Sequence, residues 1–181
     1  MKFLLCLFLP LLVFSTCAMA QEVLPLRHSP LAIATARYKD TYLKIIYSQP
    51  QKRGREIFDK LVPFDLVWRT GANEATEATI TKDIVVNKIL LKAGTYSLFT
   101  IPGKEKWTII FNSDLGLWGA YNYNQKMDVL RFDVTPKLIS TDLVYEPFTI
   151  RIDQKTDTAE LFLLWDKTQV SFNIQFIEPK P

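Results

Sequence analysis

Three side chains able to do chemistry crowd into one decapeptide. In VWRTGANEAT, residues 67–76, Arg69 precedes Asn73 and Glu74, with Gly71 between them. A guanidinium, a carboxamide and a carboxylate at a turn suit ligand recognition: the guanidinium grips a carboxylate or orients a sugar, and the amide bonds hydroxyls. A second cluster, Trp118-Gly119-Ala120-Tyr121-Asn122-Tyr123, sets aromatic faces among small residues and an amide. Where the two loops meet, Arg69, Asn73, Glu74, Trp118 and Tyr121 would form a pocket for a sugar or a small acidic ligand. The same residues also support a purely structural reading. Gly71 would take a positive φ, Asn73 would fix a turn through its own backbone, and Arg69 and Glu74 would clasp each other above Trp68. Trp118 and Tyr121 would then cover a sheet margin. Both readings stand at this point.

Catalytic chemistry is thinly supplied. Glu74 is the one weak candidate for a general acid or base, with Glu77 or Asp128 as partner in a two-carboxylate attack on a glycan. Among 19 acidic residues such pairs arise by chance, so the chain reads as leaning away from enzyme function. The only histidine, His28, lies between Arg27 and Ser29-Pro30, where nothing would hold it for a triad or a zinc ion. No nucleophile elbow, phosphate-cradling loop, dinucleotide fingerprint or zinc-protease motif occurs. Asn112-Ser113-Asp114 offers oxygens, but not at the spacing of a calcium loop. No cofactor and no metal are expected.

The two cysteines, Cys6 and Cys17, fall in MKFLLCLFLPLLVFSTCAMA. A basic start, an apolar run and Ala18-Met19-Ala20 form the pattern of a signal peptide, with cleavage expected after Ala20. Lipid attachment at Cys17 is the rival reading. It is disfavoured because Phe14-Ser15-Thr16 lacks the leucine and the small residue that such a site wants. Removing residues 1–20 from the 181 leaves 161, with no cysteine and with 21 basic against 19 acidic residues. That length allows one domain with its own core, unsupported by disulfides. The interspersed charge shows no basic stripe for nucleic acid, and no later stretch approaches the roughly 18 apolar residues of a spanning helix.

The elements that must carry the candidate residues are strands. Period-two alternation runs through DVLRFDV, PFTIRID, TAELFLLWD and TQVSFNIQF, with Val170, Phe172, Ile174 and Phe176 on one face of the last. Antiparallel strands with one wet face read this way. Pro102-Gly103 predicts a type II hairpin turn with positive φ at Gly103. Asn87-Lys88 and Asp166-Lys167 predict two more turns. The one helix expected is short, Arg55 to Leu61, closed by Pro63. The fold class that follows is all-β: an antiparallel, jelly-roll-like sandwich of nine or ten strands over residues 31–178, after a mobile lead-in at 21–30.

GREIFDKLVPFDLVWRTGANEAT, LKAGTYSLFTIPGKEKWTIIFN and WGAYNYNQKMDVLRFDV together resemble domain-of-unknown-function family number 2911. The resemblance spans about Ser29 to Gln175 and departs at Phe64-Asp65, where a tyrosine-glycine turn is expected. The family implies an exported bacterial protein with no established activity. Some members carry the label asparagine synthetase B. This chain lacks the N-terminal cysteine nucleophile and the pyrophosphate loop that such an enzyme needs. The expectation is a periplasmic or secreted, non-catalytic binding or interaction module of the envelope, its partner an unknown small ligand or envelope protein. A carboxylate hydrolase and a protein docking through a sheet edge are the alternatives.

Overall fold

Alternation decides which side chains of each strand turn inward, and the structure follows it. The computed structural model describes residues 26–140 and 142–178; the expected signal peptide, with Cys6 and Cys17, lies outside them. One sheet holds β1 (Leu31–Tyr38), β2 (Thr41–Ser48), β3 (Ala72–Ile80), β6 (Gly94–Ile101), β7 (Trp107–Asn112) and β8 (Asp128–Val134), in that order. The other runs β10 (Tyr145–Gln154), β11 (Thr158–Asp166), β12 (Thr168–Phe176), β4 (Ile84–Val86), β5 (Ile89–Leu91), with β9 (Lys137–Leu138) also on β12. Every pairing is antiparallel. The chain crosses between sheets after β3, after β5 and after β8. The protein is a β-sandwich. Its strand count exceeds nine or ten because pieces such as β9, too short to show a pattern, pair as well.

The inward faces carry the residues that alternation selects. Val170, Phe172, Ile174 and Phe176 are buried, as are Leu130, Phe132, Phe148 and Ile150. In β7 and β11 the opposite face is buried too, through Ile110, Phe162 and Leu164. Asn87 and Lys88 both take positive φ, 46° and 68°, which is the two-residue hairpin geometry that matches strand twist. Asp166 turns β11 into β12 at φ 53°.

Two local expectations are corrected. The helix at Arg55 to Leu61 does not form. Asp59 stands at φ 69°, and the turn closes through a Val62 N–H bond to the Ile57 carbonyl at 2.8 Å. Burial wins over helix propensity here: Ile57 and Val62 both turn into the core. The only helical turn among the described residues is a 3-10 turn at Gln125–Met127, capped by the Asn124 side chain. Gly103 is not left-handed either. It is required by contact, since a Cβ there would meet the Lys106 carbonyl oxygen at 2.6 Å. By contrast Asp65, where the resemblance led to an expected glycine, does take a positive φ of 61°.

An aromatic cluster joins the two sheets. Trp68 stacks on Trp165 of β11 with ring centres 5.8 Å apart and planes 15° apart. It meets Phe148 edge-on at 5.0 Å, and Phe58 meets Trp107 likewise at 5.0 Å. Such geometries add to the large area each ring buries. The sheet margins are also joined. The Gln154 side chain pairs with the Arg37 backbone in both directions, at 3.0 and 2.7 Å, and the Tyr47 hydroxyl accepts the Ile150 N–H at 3.0 Å. Trp68→Ala is expected to cost about 3–5 kcal/mol, as buried aromatic truncations do. A matching fall in the urea midpoint, at unchanged slope, is the check.

Candidate functional site

Residues 67–76 are a strand-like segment, a strained turn and a bulge in succession. Trp68 exchanges both backbone hydrogen bonds with Thr100 of β6, at 2.7 and 2.9 Å. It occupies the slot that β3 vacates, because β3 pairs with β6 only from Thr76–Leu98 to Ile80–Gly94. The indole N–H then donates to the Gly71 carbonyl at 3.0 Å. Thr70 is fully buried at φ 52°, a costly conformation for a β-branched residue, about 1–3 kcal/mol. Its surroundings impose it. Its hydroxyl lies 3.1 Å from that of Thr100, and its carbonyl accepts the Thr76 hydroxyl at 2.7 Å. The left-handed residues are thus Thr70 and Asn73 (φ 57°), not Gly71. Gly71 is glycine because a Cβ would come within 3.0 Å of the Ser48 carbonyl oxygen.

Residues 73–76 bulge out, standing opposite Tyr47 alone between the Ser48–Ala72 and Ile46–Glu77 pairs. Their free backbone groups pair with the second aromatic loop. Gly119 N–H donates to Asn73 O at 3.0 Å, and Ala75 N–H donates to Leu117 O at 2.9 Å. The two loops picked out in the sequence therefore meet.

The second loop is tied down from beneath. Leu117, Ala120 and Tyr123 pack on Ala75, Phe99 and Ile110, forming a minor apolar cluster separate from the main core. This leaves Trp118 61% and Tyr121 82% exposed. Polar bonds complete the anchorage. Asp128 accepts from the Tyr123 hydroxyl at 2.7 Å, from Arg131 at 3.0 Å and from the buried Asn112 amide at 2.8 Å. Burial, then the hydrogen bond to Asp128, pushes the Tyr123 hydroxyl up to about 12. Glu77 accepts the Gly116 N–H at 3.1 Å.

The expected clasp between Arg69 and Glu74 does not form. Glu74 pairs instead with Arg27 at 2.8 Å and accepts from the Ser48 hydroxyl at 3.3 Å. Its own backbone amide, then Arg27, hold its carboxyl below the usual range. That is the wrong direction for a general acid at neutral pH. The would-be partners Glu77 and Asp128 are committed to holding the second loop. Glu74 lines a separate groove of about 220 Å³ with Leu31, Tyr47 and Leu117.

Arg69 and Tyr121 share a cleft of about 410 Å³. Its deep part is the buried Trp68–Trp165 stack, and Val62, Pro63 and Leu66 form an apolar wall. The volume lies within the ordinary range of small-molecule sites. Arg69 Nε is buried with no hydrogen-bond partner among the described residues. Its Nη1 reaches toward Gly119, where an added Cβ would lie 3.4 Å from it and 2.8 Å from the Tyr121 ring. With φ 70° as well, Gly119 is fixed as glycine by both backbone and space. Asn73 and Trp118 contribute backbone to this corner but do not line the cleft. Pro50, Arg55 and Trp165 also line the cleft; none carries a local motif, and Trp165 lies 96 positions from Arg69.

Among the described residues no group of three or more His, Cys, Asp or Glu could hold a metal ion, and no helix is long and apolar enough to cross a membrane. The sequence model of a family described as a protein of unknown function (DUF2911) matches residues 29–174. No curated protein and no solved structure matches.

Two outcomes follow from this geometry. Arg69→Met should not destabilise the fold and should raise its stability by about 1 kcal/mol, because it removes a buried donor that has no partner among the described residues; urea unfolding reads it. The Tyr123 hydroxyl titrates higher in the fold than its ordinary 10.0. Its contribution is therefore complete below pH 10 and lost as pH rises toward 12. Tyr123→Phe should flatten the alkaline decline in melting temperature, at a neutral-pH cost of about 1 kcal/mol for the lost hydrogen bond.

Proposed function

This chain belongs to the DUF2911 family, and we propose that it is an exported, non-catalytic binding module of the bacterial envelope. The cleft at Arg69 and Tyr121 is its ligand site. The observation that carries this reading is the state of Arg69. The Arg69 side chain lines a cleft of ligand size, and its buried Nε has no partner among the described residues. Natural structures rarely leave such a donor idle without a use for it. Export rests on residues 1–20, which have the composition of a signal peptide. On this reading the protein works in the periplasm or medium, and its stability comes from the core alone.

The hydrolase alternative is weakened because Glu74, Glu77 and Asp128 are each engaged elsewhere. Docking through a strand edge is weakened at the β1–β10 margin. There Gln154 and Tyr47 occupy backbone groups that an added strand would need.

A thermal-shift screen against sugars, glycan fragments, amino acids and divalent metals tests the proposal. A ligand at 100 times its Kd adds about 2.7 kcal/mol, which for a chain of this size raises the melting point by roughly 5–10 °C. One compound class should give such a shift in the protein and lose it in the Arg69→Met variant. A flat screen would overturn the reading and turn the search to protein partners.

A further inference from the structure

We propose that the ligand of this cleft is a small organic carboxylate: one negative charge on a flat, apolar body, with the charge on Arg69 and the body against Trp68 and Tyr121. The inference rests on the cleft being a ligand site and adds the chemistry of the occupant.

Charge comes first. The charged side chains lining the cleft are Arg55 and Arg69, and none of the lining residues is acidic. The nearest candidate counterion in sequence, Glu74, is drawn off by Arg27 at 2.8 Å and lines a different groove. Arg55 is partly spent, since its Nε and Nη2 donate to the carbonyls of Lys52 and Gln51 at 3.0 and 2.6 Å. Arg69 makes no ion pair with any described residue. A cationic cleft without its own anion favours an anionic guest, and the apolar surroundings strengthen that attraction over its value in open water.

The donor count then narrows the class. A planar guanidinium presents two parallel N–H groups, the match for the two oxygens of a carboxylate. A phosphate group carries close to two charges and three acceptor oxygens. It is usually met by several cations or by a nest of backbone N–H groups at a helix start. This cleft supplies one available guanidinium, and the described residues contain no helix longer than a three-residue turn.

Shape supplies the body. Apart from Arg55, Arg69 and Ser29 the lining is mainly apolar or aromatic, and Tyr121 stands over the rim, 82% exposed. A sugar would leave hydroxyls set against the buried Val62, Trp68 and Trp165 unpaired, at a desolvation cost. A flat hydrocarbon would not.

The test is calorimetric titration of the protein with naphthoate, its neutral amide naphthamide, and naphthyl phosphate. Naphthoate should bind at least tenfold more tightly than naphthamide and more tightly than naphthyl phosphate. Arg69→Met should bring naphthoate down to the level of naphthamide. Arg69→Lys, which keeps the charge but loses the fork, should fall between. Equal binding of acid and amide would overturn the carboxylate assignment while leaving the cleft a ligand site. Tighter binding of the phosphate would overturn it in favour of a phosphorylated ligand. No binding by any of the three would also overturn it, whereas the broader binding reading falls only if the thermal-shift screen is flat as well.

Discussion

The stack of Trp68 on Trp165 is the contact on which the rest of the molecule depends. Trp68 is not in a strand of its own. It is attached to β6 by two backbone bonds at Thr100, and its ring reaches across to β11. One residue thereby fixes the spacing of the sheets at this end and sets the course of the chain for the next eight positions. Once the indole N–H has taken the Gly71 carbonyl, the segment must turn at Thr70 despite the steric cost. Arg69, between the two, is aimed outward toward Gly119. The cleft is the open side of the same stack. A β-sandwich that relies on no disulfide within its described residues concentrates its aromatic area here, where Phe58, Trp107 and Phe148 close around the pair.

The second loop shows how a surface segment becomes rigid enough to carry exposed aromatics. Its inward residues, Leu117, Ala120 and Tyr123, cover an apolar patch on the outer face of the first sheet. Its polar ends are fixed by Asp128, Asn112 and Glu77. Apolar burial gives the loop its adhesion, and the hydrogen bonds give it one conformation, since each buried polar group must find its partner. Carboxylates that could have served chemistry are consumed in this work. The electrostatic result is an asymmetry: acids hold the scaffold, and an arginine is left facing the cleft.

Much of the sandwich was legible because burial on one face of a strand leaves a period of two. The last two strands, the Asn87-Lys88 turn and the Asp166-Lys167 turn all follow from that pattern. The approach of the two candidate loops was legible only as a condition. What decides it is the bulge at residues 73–76, and bulges leave no periodic trace. Glycine was the most misleading residue. Gly71 and Gly103 read as positive-φ positions, yet both are glycine because another backbone passes too close for a Cβ. The Arg69–Glu74 clasp failed for a similar reason. Sequence proximity suggested it, but the bulge separates the two side chains and Arg27, forty-seven positions away, reaches Glu74 first. Nor does composition reveal a cleft whose deep part comes from Trp68 and Trp165, nearly a hundred residues apart.

The chain has four tryptophans, and the fold divides them three to one. Trp68, Trp107 and Trp165 are packed in the core, and Trp118 alone stands in solvent, at the loop that borders the cleft. The optical behaviour of the protein divides the same way. Buried indoles emit toward the blue and are shielded from aqueous quenchers. Aqueous quenchers reach the solvated indole and spare the other three. The molecule therefore carries two separate native chromophores: one reports whether the sheets remain packed, and the other reports events at the loop.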